Sequence, residues 1–300
     1  MTTPRDAIAP IVLGHNAFFG VDHLSSQRGS EREAHFSDLR RVLEVVEAAH
    51  EAGAGGLMMS THERALPICD LIGQSPRLRD SLRIYPLLPY AQKYVTRSNE
   101  VGMVNVVLEM LSGTSLTDKL NLLWQGSKAA LTKDVNAVLA AVMQVELKPF
   151  RRLNTHAVFL HDALTDLALA LGLREVFEFY LEEIPRVVSG AQGAFATKNL
   201  PHFLETFAQW GLERPLVMTH FNKSGYHMNP DREACERAAA AHPVSVLAMG
   251  SLASGYLTPD EAYAYLAGVR NIDGVVVGVS RQAHIDETFA AIKRHMPRRG

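Results

Sequence analysis

The stretch VSVLAMGSLASGYLTPDEAYAYLAGVRNIDGVVVGV, residues 244–279, carries the pattern on which the fold reading turns. It opens on an apolar run, Val244–Met249, and passes through a turn rich in glycine and serine. From Pro259 to Ala267 its apolar residues fall three and four apart, and it closes on a second apolar run, Gly274–Val279. A continuous apolar run suits a strand covered on both faces, and the three-and-four spacing with proline in the first turn suits an amphipathic helix. A strand, a helix and a strand in that order pair the two strands in parallel.

Working outward, the same alternation recurs along the chain. Ile11–Leu13, Gly56–Ser60, Leu82–Leu88, Ala157–Leu160, Gly193–Thr197 and Leu216–Thr219 read as six further strands, and Ser37–Ala52, Pro201–Trp210, Pro230–Ala241 and Gln282–Lys293 as helices. Ser37 is the cap candidate of the first helix, and Gly53 follows its end. Eight strands with helices between them predict an α/β fold, a (β/α)8 TIM barrel. An open doubly wound sheet is the alternative, but no GxGxxG follows the first strand. Residues 1–300 read as one domain, with a helical insertion over residues 96–153 after strand three. Its predicted helices are Ser98–Leu111, Leu116–Trp124 and Lys133–Leu147, serving as extra packing, a lid or a dimer contact.

Composition narrows the function classes. The 300 residues are 47% hydrophobic and 21% charged, enough for a large core, and the formal net charge of -2 gives no field to attract nucleic acid or an anionic membrane. No apolar run is long enough to span a bilayer, and no secretory leader is visible. Cys69 and Cys235 form no metal-binding or disulfide framework. The expectation is a cytoplasmic enzyme with a small-molecule substrate, without nucleic-acid or membrane partners, and compatible with a homo-oligomer.

In a parallel barrel the C-terminal strand ends converge on one mouth. His15, His62, His161 and His220 follow strands one, two, four and six, so four of the thirteen histidines occupy equivalent positions. Neutral imidazoles meeting from separate strands suit a divalent metal ion with an open position, and Asp162 stands next to His161 as a further ligand or partner. Tyr90, Lys93, Lys198 and Lys223 follow strands three, five and six and are candidates for anion binding or proton transfer. Strand seven ends in Gly250 and Ser251, and strand eight in Gly278, Ser280 and Arg281 ahead of a helix, a combination suited to holding a phosphate.

At these residues the sequence resembles the aldo/keto reductases. VLAMGSLASGYLT is similar to that family's strand seven and following turn, and VVVGVSRQAHIDETFAAI to its strand eight and cofactor-phosphate loop. FATKNLPHFLETF is similar to strand five and its helix, HFN to the end of strand six, and VFLHD places His161 on the family's strand-four histidine. The resemblance covers residues 155–296 and implies an NADPH-dependent oxidoreductase in which Ser280 and Arg281 hold the 2′-phosphate. The family's Asp-Tyr-Lys-His tetrad is largely replaced: strand two ends in MMSTHER, Tyr90 and Lys93 stand in LPYAQK, and Thr197-Lys198 takes the place of Ser-Asn. That replacement makes a histidine-bound metal enzyme the primary expectation, and an NADPH-dependent reductase with a rearranged tetrad the alternative. A non-catalytic binding barrel is disfavoured, because a mouth rich in imidazole and ammonium groups is costly to desolvate as mere packing.

Overall fold

The computed structural model describes residues 8–20, 26–62, 64–89 and 128–297. Eight parallel strands close in sequence order into a barrel. They are β1 Ile11–Leu13, β2 Gly56–Ser60, β3 Arg83–Leu88, β4 Ala157–Leu160, β5 Gln192–Ala196, β6 Leu216–His220, β7 Ser245–Met249 and β8 Ile272–Val277. The helices are α1 Ser26–His35, α2 Leu39–Glu51, α3 Ala65–Gln74, α4 Pro76–Ser81, α5 Lys128–Glu146, α6 Asp162–Ala170, α7 Arg174–Val187, α8 Leu200–Gln209, α9 Arg232–Ala241, α10 Pro259–Gly268 and α11 Gln282–His295. Among the described residues no helix is long and apolar enough to cross a membrane.

Two predicted helix starts are corrected. Asp38, not Ser37, caps α2 by accepting from the Arg40 amide, and the Ser37 hydroxyl donates to the Ala34 carbonyl instead. Pro230 stays outside α9, which Asp231 caps through the Ala234 amide. In both places an aspartate competes with the expected residue, and a carboxylate at a helix N-terminus also gains from the dipole. β8 begins two residues early, where the β7–β8 register shifts between Val246 and Leu247. Of the insertion, the third helix is present as α5; Ser98–Leu111 and Leu116–Trp124 lie outside the described residues, as do Tyr90 and Lys93.

Alternation along the strands sorts the core into two shells. Toward the helices point residues such as Leu13, Leu57, Val158, Phe195, Val217 and Val275. Toward the barrel axis point Val12, Met58, Tyr85, Phe159, Ala194, Met218 and Leu247, with Leu87, Met249 and Val276 packed on them. The Tyr85 hydroxyl accepts from the Ala9 amide at 2.9 Å beneath this inner shell. Because barrel strands are staggered, side chains from alternate strands meet at one height. Met58, Phe159, Met218 and Val276 of β2, β4, β6 and β8 form one such layer. Two residues farther along the same strands stand Ser60, His161, His220 and Gly278. On the other strands the same step from Gly14, Leu87, Ala196 and Met249 reaches Asn16, Pro89, Lys198 and Ser251. The apolar interior therefore ends in a polar ring.

Candidate active site

The most strongly coupled group of that ring sits where β4 enters α6. His161 precedes the helix and Asp162 is its first residue, an acidic side chain placed at the positive end of the helix. His161 Nδ1 lies 2.6 Å from Asp162 Oδ1. The Ala163 amide also lies 3.2 Å from Nδ1, so one atom has two candidate partners. The shorter contact decides between them, because two lone pairs at that separation would repel. Nδ1 therefore carries a proton and donates it to Asp162, which leaves Nε2 for a ligand.

The second oxygen of Asp162 is 3.3 Å from the Lys198 ammonium. Burial pushes the Asp162 carboxyl up, but the His161 hydrogen bond and charge, together with Lys198, outweigh it and hold the group well below the usual carboxylate range. Lys198 is itself fixed from two sides. One turn after Asp162 on α6, Asp166 accepts from the Thr197 hydroxyl at 2.5 Å and from the Lys198 amide at 3.0 Å. Asn229 donates to the Lys198 carbonyl at 3.1 Å. Burial raises the Asp166 carboxyl above its ordinary value, against the lowering effect of those hydrogen bonds. Lys223 is held differently: its carbonyl accepts from Arg232, and its exposed ammonium lies 4.0 Å from Glu261.

The other three histidines are engaged elsewhere. His15 and His62 pack on the same ring, Phe19, with centroids 5.3 Å and 4.7 Å away, and Arg64 lies over that ring. His62 Nδ1 accepts from the Arg64 amide at 3.1 Å. Burial is the main force that takes His15 down to about 4, with the hydrogen bond to the Met58 backbone opposing it and the nearby His62 and His161 adding to it. His220 lies against Gly250, where a Cβ would stand 2.6 Å from its Cδ2, and its ring centroid is 5.3 Å from that of His227.

These placements correct the expectation of a metal centre at His15, His62, His161 and His220. Among the described residues no three His, Cys, Asp or Glu side chains are grouped so that they could hold a metal ion. The contacts are specific: Phe19 packs on two of the imidazoles, Asp162 holds the third, and Gly250 and His227 lie against the fourth.

The glycine-rich strand ends fall into two places. Ser280 and Arg281 line a cleft of about 300 Å³ whose opposite wall is Arg41, Glu44 and His35, from α2 and the end of α1. Arg41 is positioned there by the His35 imidazole at 3.1 Å and the His35 carbonyl at 3.2 Å. The Arg281 side chain does not cap α11, which begins at the cleft-lining residues Arg281 and Gln282. A Cβ added to Gly278 would meet nothing within 4 Å among the described residues. Gly250 and Ser251 are not part of this cleft; Gly250 serves His220, and the Ser251 hydroxyl is buried without a hydrogen-bond partner among the described residues.

Sequence reasoning missed Asp166, Asn229, Arg41 and Ser60. Asp166 carries a legible signal, four residues after Asp162 on one helix face. Arg41 carries none, since it approaches from a helix remote in sequence.

No family model and no curated protein matches the chain. Solved structures do. A proposed aldo-keto reductase from Pseudomonas aeruginosa aligns at TM-score 0.59 and 17% identity, over 96% of this chain and 91% of that one. A proposed 2,5-diketo-D-gluconic acid reductase B aligns at 0.57 and 11%, over 96% and 84%. An aldo-keto reductase from Klebsiella pneumoniae in complex with NADPH aligns at 0.50 and 15%, over 95% and 85%. At these identities the likeness establishes a shared barrel fold, that of the aldo-keto reductases.

Proposed function

We propose that this protein is a nicotinamide-dependent oxidoreductase that interconverts a small carbonyl compound and its alcohol, with NADPH as cofactor. The observation that carries the reading is the cleft between α2 and the start of α11. Two arginines, a serine hydroxyl and an uncapped helix N-terminus are the donor set a phosphate monoester needs, and the open space at Gly278 lets a ligand pass from that cleft toward the mouth. The barrel shared with aldo-keto reductases, one of them holding NADPH, supports it. The buried Ser251 hydroxyl fits a polar group of the same ligand, because it is otherwise unsatisfied.

Bound NADPH supplies the hydride. The chain supplies the oxygen site and the proton. His161, protonated at both nitrogens, donates from Nε2 to the carbonyl oxygen while Nδ1–H stays on Asp162. The Asp162 carboxylate stabilises the imidazolium, and Lys198 restrains Asp162 from taking the proton itself. In the alcohol direction Nε2 accepts the proton that it gave. Tyr90 and Lys93 remain candidates to contribute from the chain that follows β3, and Lys223 to meet an anionic substrate at the rim.

The test is NADPH oxidation, followed by absorbance at millimolar concentrations of short, sugar-derived and aromatic aldehydes. Turnover that disappears in His161→Gln is the expected result. Absence of both cofactor binding and oxidation across the panel would refute the reading.

A further inference from the structure

We infer that Ser60 is a further catalytic residue: its hydroxyl, buried at the floor of the mouth, donates a second hydrogen bond to the substrate oxygen that His161 holds. The inference rests on the reading of the mouth as an oxygen-binding site, and it follows from the strand geometry.

On β2 the inward face is set by Gly56 and Met58. Gly56 lies so close to Tyr85 that a Cβ would stand 2.5 Å from its ring, and Met58 belongs to the inner shell. The strand's period of two turns Ser60 the same way. On β4 the same rule carries Ala157 and Phe159 inward, and His161 continues that face. The register pairs Ser60 with Leu87 and Leu87 with Phe159. With the stagger of the barrel, the step that brings Met58 level with Phe159 brings Ser60 level with His161.

The state of the hydroxyl is the second observation. Ser60 is only 4% exposed, yet among the described residues its Oγ has no hydrogen-bond partner. Its neighbour Thr61 donates to Glu146, so a partnered hydroxyl is attainable at this strand end. A buried hydroxyl left without a partner is unfavourable, and native structures seldom retain one unless something else satisfies it. The layer is also not filled. Gly278, its member from β8, has open space where a side chain would stand. With Nδ1–H of His161 held by Asp162, Nε2 of the doubly protonated ring and Ser60 Oγ are two donors of one layer, from β4 and β2. The ligand such a pair accepts is a compound presenting an acceptor oxygen, a carbonyl or a carboxylate.

Ser60→Ala separates this role from a structural one. Removing an unsatisfied hydroxyl leaves the melting temperature unchanged or higher, whereas a hydroxyl that served packing would lower it. Acetate, which presents an acceptor oxygen and undergoes no reaction, is the binding probe, followed by NMR shift titration of the cofactor-free protein. The expected result is weaker acetate binding by about tenfold in Ser60→Ala, matched by His161→Gln, with Ser60→Ala as stable as the parent. Acetate binding unaltered in Ser60→Ala, as a hydroxyl that merely holds a water would give, overturns the inference. So does a parent protein that shows no saturable acetate shifts. A protein that binds acetate through Ser60 but never binds NADPH keeps the oxygen site and discards the cofactor assignment.

Discussion

The 2.6 Å contact between His161 Nδ1 and Asp162 Oδ1 fixes the tautomer of the imidazole and leaves one nitrogen, Nε2, for chemistry. A carboxylate that both orients an imidazole and stabilises its charged form is a positioning device with a large kinetic effect. Asp162→Asn keeps the shape and removes the charge, and its amide can present NH₂ to Nδ1 and favour the other tautomer. Turnover should fall about 100-fold with a small change in KM. Steady-state kinetics on the best substrate of the panel decide it; an Asp162→Asn enzyme of parental kcat would remove His161 from the proton-transfer role.

Gly250 is required by contact as well as by backbone. Its φ is +64°, and a Cβ would stand 2.6 Å from His220. Gly255 provides the control, with φ +88° and nothing within 4 Å of its missing Cβ among the described residues. Gly255→Ala should cost about 1 kcal/mol, the strain of a left-handed alanine. Gly250→Ala should cost about 1–3 kcal/mol more, because His220 must shift as well. Urea denaturation of both variants gives the comparison, and equal losses would show that His220 yields without resistance.

Stability should decline in two separate acid windows. His15 is lowered by burial from 6.5 to about 4, so it is neutral in the folded chain where the unfolded chain would be protonated. The stability this group contributes is complete above its unfolded value and is lost as pH falls from about 6.5 toward 4. Asp162 has the same sign but begins lower, with its contribution lost only below its unfolded value of 3.8. His156, at the opposite end of β4 and lowered to about 4 chiefly by burial, titrates in the first window too. Replacing His15 with Gln should therefore flatten the upper slope by on the order of 1–3 kcal/mol and leave the lower one. Chemical denaturation at a series of pH values tests this, and an unchanged upper slope would place the loss at His156 instead.

Much of the barrel was legible because its strands are continuous apolar runs, and seven of them start and end within one residue of expectation. Once strands are placed, their period of two settles which side chains face the mouth, which is why His161, His220 and Lys198 were identifiable. What each imidazole faces was not legible. The His161–Asp162 contact depends on how the chain turns into α6, and the packing of His15 and His62 on one ring depends on Phe19 in a short 3-10 turn. Histidines at equivalent strand ends therefore read as a ligand set, although the turns that follow send them to different partners. Arg41 joins Ser280 and Arg281 only because the barrel closes β8 against β1 and sets α11 beside α2.

The central claim, that the cleft between α2 and α11 holds the phosphate of a dinucleotide, is tested most directly by equilibrium titration of the protein with NADPH, read by cofactor fluorescence, beside Arg281→Ala and Arg41→Ala. The account predicts saturable binding to the parent, weakened about 10- to 100-fold in each variant, with NADH bound more weakly than NADPH by the parent and little affected by either substitution. Saturation that is identical in all three proteins, or none in the parent at millimolar cofactor, would contradict it.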